Sequence, residues 1–264
     1  MTVYAAGGGL GIPTTEYGLR STLSPMALYN DQGIVLRSYS FGEADKVVIL
    51  LSPNRGKLRT VAKGVRKTKS RFGGRLETLT HVDLVLYEGK NLDMITQVSI
   101  IEAFPSLRED LDRVVAAGTM IEIADAVAQE EEPARRLFLL LQRGLRALDG
   151  SGPHPDLVTA YLLKAAEIVG VAPALSHCAG CGAREGLSRF SFAEGGVLCD
   201  RCRTPGSYAL RPGVVDYLVV LAGADLSTLP ESDLSMSREA MGITRRFMEY
   251  HLERKLDSME LIDV

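Results

Sequence analysis

The sequence predicts an α+β protein of several domains, in which a small N-terminal five-stranded barrel precedes an α-helical domain that carries an inserted four-cysteine module. Three observations predict this arrangement. Short apolar runs bounded by turn residues dominate the chain up to residue 105, apolar residues recur with helical periodicity after it, and all cysteines fall between residues 178 and 202. At 264 residues, the chain is long enough for two or three small domains.

Residues 1–28 differ from the rest of the chain. They contain the run Gly7-Gly8-Gly9 and several small polar residues, and they sustain no apolar periodicity. A second methionine, Met26, stands just before the first patterned segment. We therefore expect residues 1–28 to be a tail that is disordered, derived from expression, or produced by an over-extended start site.

Five β-strands are expected between residues 29 and 105. Their runs are rich in Val, Ile and Leu, and turns such as Pro53–Gly56 separate them. The third run alternates polar and apolar side chains, as a strand with one buried face does. The expected strands are Gly33–Tyr39, Lys46–Leu51, Lys57–Lys63, Leu84–Tyr87 and Asp93–Ile100. Five short strands within about 75 residues fit an oligonucleotide-binding (OB) barrel over residues 29–105.

Helical periodicity begins after Phe104-Pro105. Apolar residues then recur every three or four positions, and Pro133 separates the first helical segment from the second. The expected helices are Asp112–Gln129, Ala134–Leu148, Pro155–Val169, Pro212–Ala222 and Ser237–Leu256. They indicate a helical domain made of residues 106–177 and 204–264, which a four-cysteine module of residues 178–203 interrupts.

The four cysteines form two CxxC pairs, Cys178 with Cys181 and Cys199 with Cys202. This spacing is typical of a structural site for one zinc ion, because each turn brings two thiolates about 4 Å apart and four sulfurs at roughly 2.3 Å complete a tetrahedral shell. Gly182 follows the first pair and can adopt the left-handed conformation that turns N–H groups toward a thiolate. Disulfides, redox chemistry or free thiols are the alternatives, and His177 is a competing candidate ligand.

A run of positive charge extends from residue 46 to residue 76, where ten basic residues and no acidic residue occur. On a small barrel, such a run is a candidate phosphate-binding surface, and a solvated charged face is the alternative. Phe72, Tyr39 and Tyr87 are candidates for stacking on bases, with a core position as the alternative for each. The candidate DNA-contacting residues are Arg37, Lys57, Arg59, Lys63, Arg66, Lys67, Lys69, Arg71 and Arg75.

Common catalytic motifs do not occur in the sequence. There is no GxxxxGK[ST], HExxH or GxSxG pattern, and the four histidines are dispersed. No apolar run approaches the roughly 18 residues of a membrane span, and no signal-peptide pattern precedes the first strand. We therefore expect a cytoplasmic protein that has no membrane partner and is not an enzyme.

Several segments resemble the RecO family of bacterial DNA repair and recombination mediators. The N-terminal ones are Gly33–Leu36, Tyr39–Asp45 and Ala62–Phe72, the last of which carries the basic pattern. The CxxC pairs and the closing segment Tyr250–Ser258 are also similar. Some relatives lack the cysteines, which implies that zinc supports folding. Residues 1–28 do not align with the family.

The resemblance implies an N-terminal OB fold that binds single- and double-stranded DNA, anneals complementary strands and helps to load the RecA recombinase. It implies RecR and the tail of the single-stranded DNA-binding protein as partners, with RecA reached indirectly. Two other classes stay open. One is an unrecognised nuclease or transferase, and the other is a zinc-ribbon transcription or translation factor that would contact nucleic acid through Arg184, Arg189, Arg201 and Arg203.

Overall fold

A computed structural model describes residues 27–67, 70 and 72–261 of the chain. The expected tail of residues 1–28 therefore lies outside the described residues except for its last two. Of these, Leu28 is already the first residue of a strand. None of the helices within the described residues is long and apolar enough to cross a membrane.

The N-terminal part is a closed barrel of five strands. These are β1 (Leu28–Phe41), β2 (Asp45–Ser52), β3 (Gly56–Ala62), β4 (His81–Tyr87) and β5 (Asp93–Glu102). Their neighbour order is β1-β2-β3-β5-β4, and β3 and β5 are the parallel pair, with Thr60 opposite Asp93. The predicted five-stranded OB-like barrel is thus confirmed, with β1, β4 and β5 longer than expected.

The first two strands are buried on both faces. One face fills the inside of the barrel, where residues of all five strands form one apolar cluster that includes Val35, Val48, Leu58, Leu84 and Ile95. The other face packs against the helical domain through Ile34, Leu36, Val47, Ile49 and Leu51. Burial on both faces explains why these strands are nearly continuous apolar runs rather than alternating ones.

The C-terminal part contains five α-helices within the described residues. They are α1 (Leu111–Val127), α2 (Arg135–Ser151), α3 (Leu157–Ile168), α4 (Val214–Gly223) and α5 (Leu234–Leu252). The carboxylate of Asp233 accepts hydrogen bonds from the N–H groups of Ser235 and Met236, so α5 begins three residues before its expected start. The mixed α+β class predicted from the sequence is confirmed.

The closing segment Tyr250–Ser258 returns to α1. The carboxylate of Glu122 accepts hydrogen bonds from the N–H groups of Asp257 and Ser258, each at 3.0 Å, and pairs with Arg254 at 3.0 Å. Burial raises the pKa of Glu122, but these donors, Ser258 first among them, outweigh burial and hold the pKa below its usual value. The residues that carry the resemblance at this end therefore fix the C-terminal segment to the helical domain.

His81 lies at the junction between the barrel and α2. Its Nε2 is 2.9 Å from Oε1 of Gln32, its Nδ1 is 3.2 Å from Nε2 of Gln142, and its ring meets Phe138 edge-on. Burial, followed by the positive charge of Arg146, lowers the pKa of His81 to about 4. His81 is therefore a neutral, hydrogen-bonded part of the domain junction.

The cysteine module is a small three-stranded sheet inserted between α3 and α4. Its strands are β6 (Leu187–Ser191), β7 (Gly196–Cys199) and β8 (Tyr208–Ala209), in the order β7-β6-β8. Phe190 on β6 is fully buried and packs edge-on against Phe247 of α5. The module is thus attached to the helical core through its own apolar side chains.

Candidate metal centre and nucleic-acid interface

The four cysteine sulfurs come together at one end of the module. The Sγ atoms of Cys178, Cys181, Cys199 and Cys202 all lie within 4.8 Å of one another. Cys178 and Cys199 are buried, whereas Cys181 is exposed. The first CxxC pair lies in a turn before β6 and the second spans the end of β7, so the sheet brings together two turns that are distant in sequence.

Backbone N–H groups favour the thiolate form of Cys178. The N–H of Cys199 donates to Sγ of Cys178 at 3.4 Å. This bond, with others from Cys181 and Gly180, lowers the pKa of Cys178 to about 6. Gly182 adopts a φ of +75°, and its N–H bonds to the carbonyl of Cys178 at 2.8 Å to close the turn. The left-handed glycine expected from the sequence is therefore present.

The set of donors fits a tetrahedral soft metal. Hydrogen bonding among the sulfurs, first with Cys181, raises the pKa of Cys202 to about 12, because four sulfurs so close together cannot all be deprotonated without a cation. His177 is exposed and does not belong to the cluster. Four thiolates would fill a tetrahedral shell and leave no open position, as in structural rather than catalytic sites.

Three cations of the barrel, two of them in the basic segment, are paired with acids of the helical domain. The Lys57 ammonium lies 3.3 Å from Oδ1 of Asp125 in α1 and also donates to the backbone carbonyl of Asp125. Arg37 lies 3.2 Å from Oδ2 of the same carboxylate, and Arg59 lies 3.8 Å from Glu130. These three cations form what we call the covered end of the barrel face.

The backbone reinforces this contact. The N–H of Lys57 donates to the carbonyl of Gln129 at 2.8 Å. Gly56 has a φ of +66°, and a Cβ at this position would lie 2.4 Å from that same carbonyl oxygen. Only glycine therefore allows the turn between β2 and β3 to approach the helical domain so closely.

The opposite end of the same face is open. Lys63, Arg66 and Lys67 are exposed and form no ion pair with any other described residue. The N–H of Arg66 donates to the carbonyl of Ala44, which holds this loop against the turn between β1 and β2. We call Lys63, Arg66 and Lys67 the open end. Arg75 is exposed and bonds to the carbonyl of Phe72, and Lys69 and Arg71 lie outside the described residues.

The aromatic candidates for base stacking also differ in exposure. Phe72 is 1 % exposed and belongs to the barrel core, so the core alternative applies to it. Tyr87 is half-buried, and Tyr39 is 44 % exposed. Phe41, at the end of β1, was not among the sequence candidates, although it is 52 % exposed. Its position two residues after Tyr39 on one strand is the signal that identifies it, since alternate residues share a face.

The chain was compared with known proteins. Family models described as the N-terminal and C-terminal parts of recombination protein O match residues 26–104 and 108–260. A protein named DNA repair protein RecO from a Nocardioides species is 44% identical over 242 residues, which cover 89% of this chain and 99% of the relative. Proteins of the same name from Thermobifida fusca and Frankia casuarinae are each 42% identical over 241 residues, covering 90% of this chain and 99% of each relative. The chain therefore belongs to the RecO family.

Proposed function

We propose that this protein is a DNA repair and recombination mediator that binds the DNA backbone through the open end of its barrel. The observation that carries the proposal is the presence of three exposed cations, Lys63, Arg66 and Lys67, without acidic partners among the described residues. The name of the relatives, DNA repair protein RecO, also supports a role in DNA repair. Phosphate contacts need no base-specific groups, so binding is expected to be largely independent of sequence.

Strand annealing follows from the same charge distribution. Two complementary strands repel each other through their phosphates, and a cationic surface that neutralises both backbones lowers this repulsion. Such a reaction makes and breaks no covalent bond, so it requires no catalytic side chain. The proposed partners are RecR and the tail of the single-stranded DNA-binding protein, with RecA loading as the consequence. We further propose that the four cysteines hold one structural zinc ion.

The proposal narrows the candidate DNA contacts. Arg37, Lys57 and Arg59 are paired with Asp125 and Glu130, so they are less available to phosphates than the open end. Lys69, Arg71 and Arg75 continue the same basic segment and remain proposed contacts. The zinc-ribbon alternative depends on Arg184, Arg201 and Arg203, which are exposed, and on Arg189, which is bonded to Ser207.

A charge-reversal experiment tests the proposal. The variant Lys63→Glu/Arg66→Glu/Lys67→Glu should lose about a hundredfold in affinity for single-stranded DNA, and the slope of log affinity against log salt should become shallower by about 0.7 per lost phosphate contact. The matched control is Arg184→Glu/Arg201→Glu/Arg203→Glu, which should retain wild-type affinity. Annealing of labelled strands and pull-down of RecR are measured on the same samples.

The outcomes separate the competing classes. Loss of binding only in the control variant would favour the zinc-ribbon class and contradict the proposal. Metal-dependent cleavage of labelled DNA by the wild-type protein would favour a nuclease. Unchanged affinity in the open-end variant, at equal thermal stability, would remove the barrel from DNA binding.

A further inference from the structure

The sheet register places two exposed aromatic rings beside the open end. On β1 and β2, Arg37 is opposite Ile49, Tyr39 is opposite Val47, and Phe41 is opposite Asp45. Residues opposite each other in an antiparallel pair point to the same face. Ile49 and Val47 are buried against the helical domain, so Arg37, Tyr39 and Phe41 follow one another along that face from its covered end to its uncovered edge.

On the same face, β3 pairs with β2 and continues the sequence of opposite residues. Arg59 is opposite Ile49 and Val61 is opposite Val47, and Lys63 follows β3 two positions after Val61. The face therefore begins with acid-paired cations and ends with Tyr39, Phe41 and the cations of the open end. Neither ring has an aromatic partner among the residues that the structure describes.

We propose that Tyr39 and Phe41 form a stacking surface for two bases, which makes the open end select single-stranded over double-stranded nucleic acid. This inference rests on the proposed DNA binding by Lys63, Arg66 and Lys67, and it adds a selection between two forms of the ligand. Each base offers a π-face whatever its identity, so stacking selects single strands without reading sequence.

The spacing of the rings favours a single strand. Alternate residues of a strand are about 6.7 Å apart, which is roughly twice the 3.4 Å rise between bases in a duplex. A stretched single strand can place one base on each ring, whereas a duplex keeps its bases stacked on one another. A duplex can therefore reach the cations but not the rings.

The surrounding charge favours a nucleic acid over an apolar peptide. Arg66 is held at the β1–β2 turn by the carbonyls of Ala44 and Gly42, directly after Phe41. The carboxylate of Asp45 accepts the N–H of Gly64 at 2.7 Å, and it is one of two acids on this turn. Glu43 is the remaining exposed acid on this turn. The rings are thus bordered by more positive than negative charge, as a base with its phosphate requires.

The test measures single strands and duplexes of equal length with the full chain. In Tyr39→Ala/Phe41→Ala, affinity for a labelled oligothymidylate should fall at least tenfold, while affinity for the duplex changes less than twofold and the salt dependence is unchanged. The conservative variant Tyr39→Phe/Phe41→Tyr keeps both rings and should retain single-strand affinity. Since the protein contains no tryptophan, tyrosine emission is readable, and single-strand binding should quench it less in Tyr39→Phe.

Three results would overturn the inference. Single-strand affinity could be unaffected by removal of the rings, or single-strand and duplex affinity could fall equally. The alanine variant could also lose RecR capture while keeping both DNA affinities, which would make the rings a protein-docking surface. Failure of the open-end charge reversal described above would instead refute the proposed function, so the two failures are distinguishable.

Discussion

The four-cysteine cluster and the open end of the barrel differ in two ways. The cysteines are more buried, and their sulfurs interact with other groups of the chain, whereas the cations of the open end do not form ion pairs among the described residues. The sulfurs lie against one another and accept backbone N–H groups, and two of the four cysteines are buried. The side chains of Lys63, Arg66 and Lys67 are exposed and form no ion pair with any other described residue. A group whose interactions are saturated within the chain contributes to stability, whereas one left without a partner is available to a ligand.

The largest expected effect tests the role of the four-cysteine cluster in stability. Cys199→Ser removes a buried sulfur from the proposed zinc shell, and the free energy of structural zinc binding is folding free energy. We expect bound zinc to fall well below one ion per chain and the melting temperature to fall by about 10 °C or more. Scanning calorimetry and metal analysis check this result.

The control for the cysteine is His177→Ala. His177 is the exposed neighbour of Cys178, and it lies outside the sulfur cluster, so its removal should leave zinc content and melting temperature unchanged. At temperatures where Cys199→Ser is still folded, DNA affinity should be within about twofold of wild type, a change of less than about 0.5 kcal/mol. A variant that stays fully stable and loses only DNA binding would reverse the division of roles.

The second expected effect compares two lysines on one face of the same sheet. Among the described residues, Lys57→Met leaves the Asp125 carboxylate, which is 18% exposed, with only the largely exposed Arg37 as its partner, so stability should fall by about 2 kcal/mol. Lys63→Met breaks no ion pair among the described residues, so stability should not change. DNA affinity should show the opposite pattern, with a loss of severalfold in Lys63→Met alone.

Denaturant titration and binding isotherms on both lysine variants complete this test. The salt slope should become shallower by about 0.7 in Lys63→Met and should stay at the wild-type value in Lys57→Met. Equal losses of affinity in the two variants would mean that the covered end releases Asp125 and binds phosphate as well.

Sequence patterns predicted the elements well, because these depend on local periodicity and turn residues. All five barrel strands and all five helices occur where apolar runs and prolines indicated them. The sulfur cluster was also predicted, because CxxC spacing brings together the sulfurs of each pair, although the meeting of the two pairs depends on the β6–β7 sheet. The sequence could not predict which cations are paired with acids, because Asp125 is 68 positions from Lys57 and no local pattern links the two. Phe41 could have been predicted as an exposed ring, because alternate residues of a strand share a face with Tyr39. The burial of the outer face of β2 could not be predicted, because it depends on where the helical domain packs.

The smallest expected effect concerns acid and the domain junction at His81. Its pKa is lowered to about 4 in the folded protein from a usual value of 6.5, so the unfolded chain binds a proton first as the pH falls. The stability that neutral His81 provides is therefore complete above pH 6.5 and is lost progressively between pH 6.5 and about 4. At pH 5 the loss from this residue should be about 1–2 kcal/mol.

Replacement of His81 by glutamine isolates this effect, because glutamine offers a donor and an acceptor but does not titrate in this range. His81→Gln should be less stable than wild type at pH 7.5, and the difference should shrink by about 1–2 kcal/mol by pH 5. His81 belongs to the domain junction and not to the open end, so His81→Gln should leave the pH dependence of DNA affinity unaltered. A stability difference that stays constant from pH 7.5 to 5 would mean that the pKa of His81 is the same in the folded and the unfolded chain. A difference that grows toward pH 5 would mean that His81 is protonated in the fold, and the junction would then have to supply an acid to balance that charge.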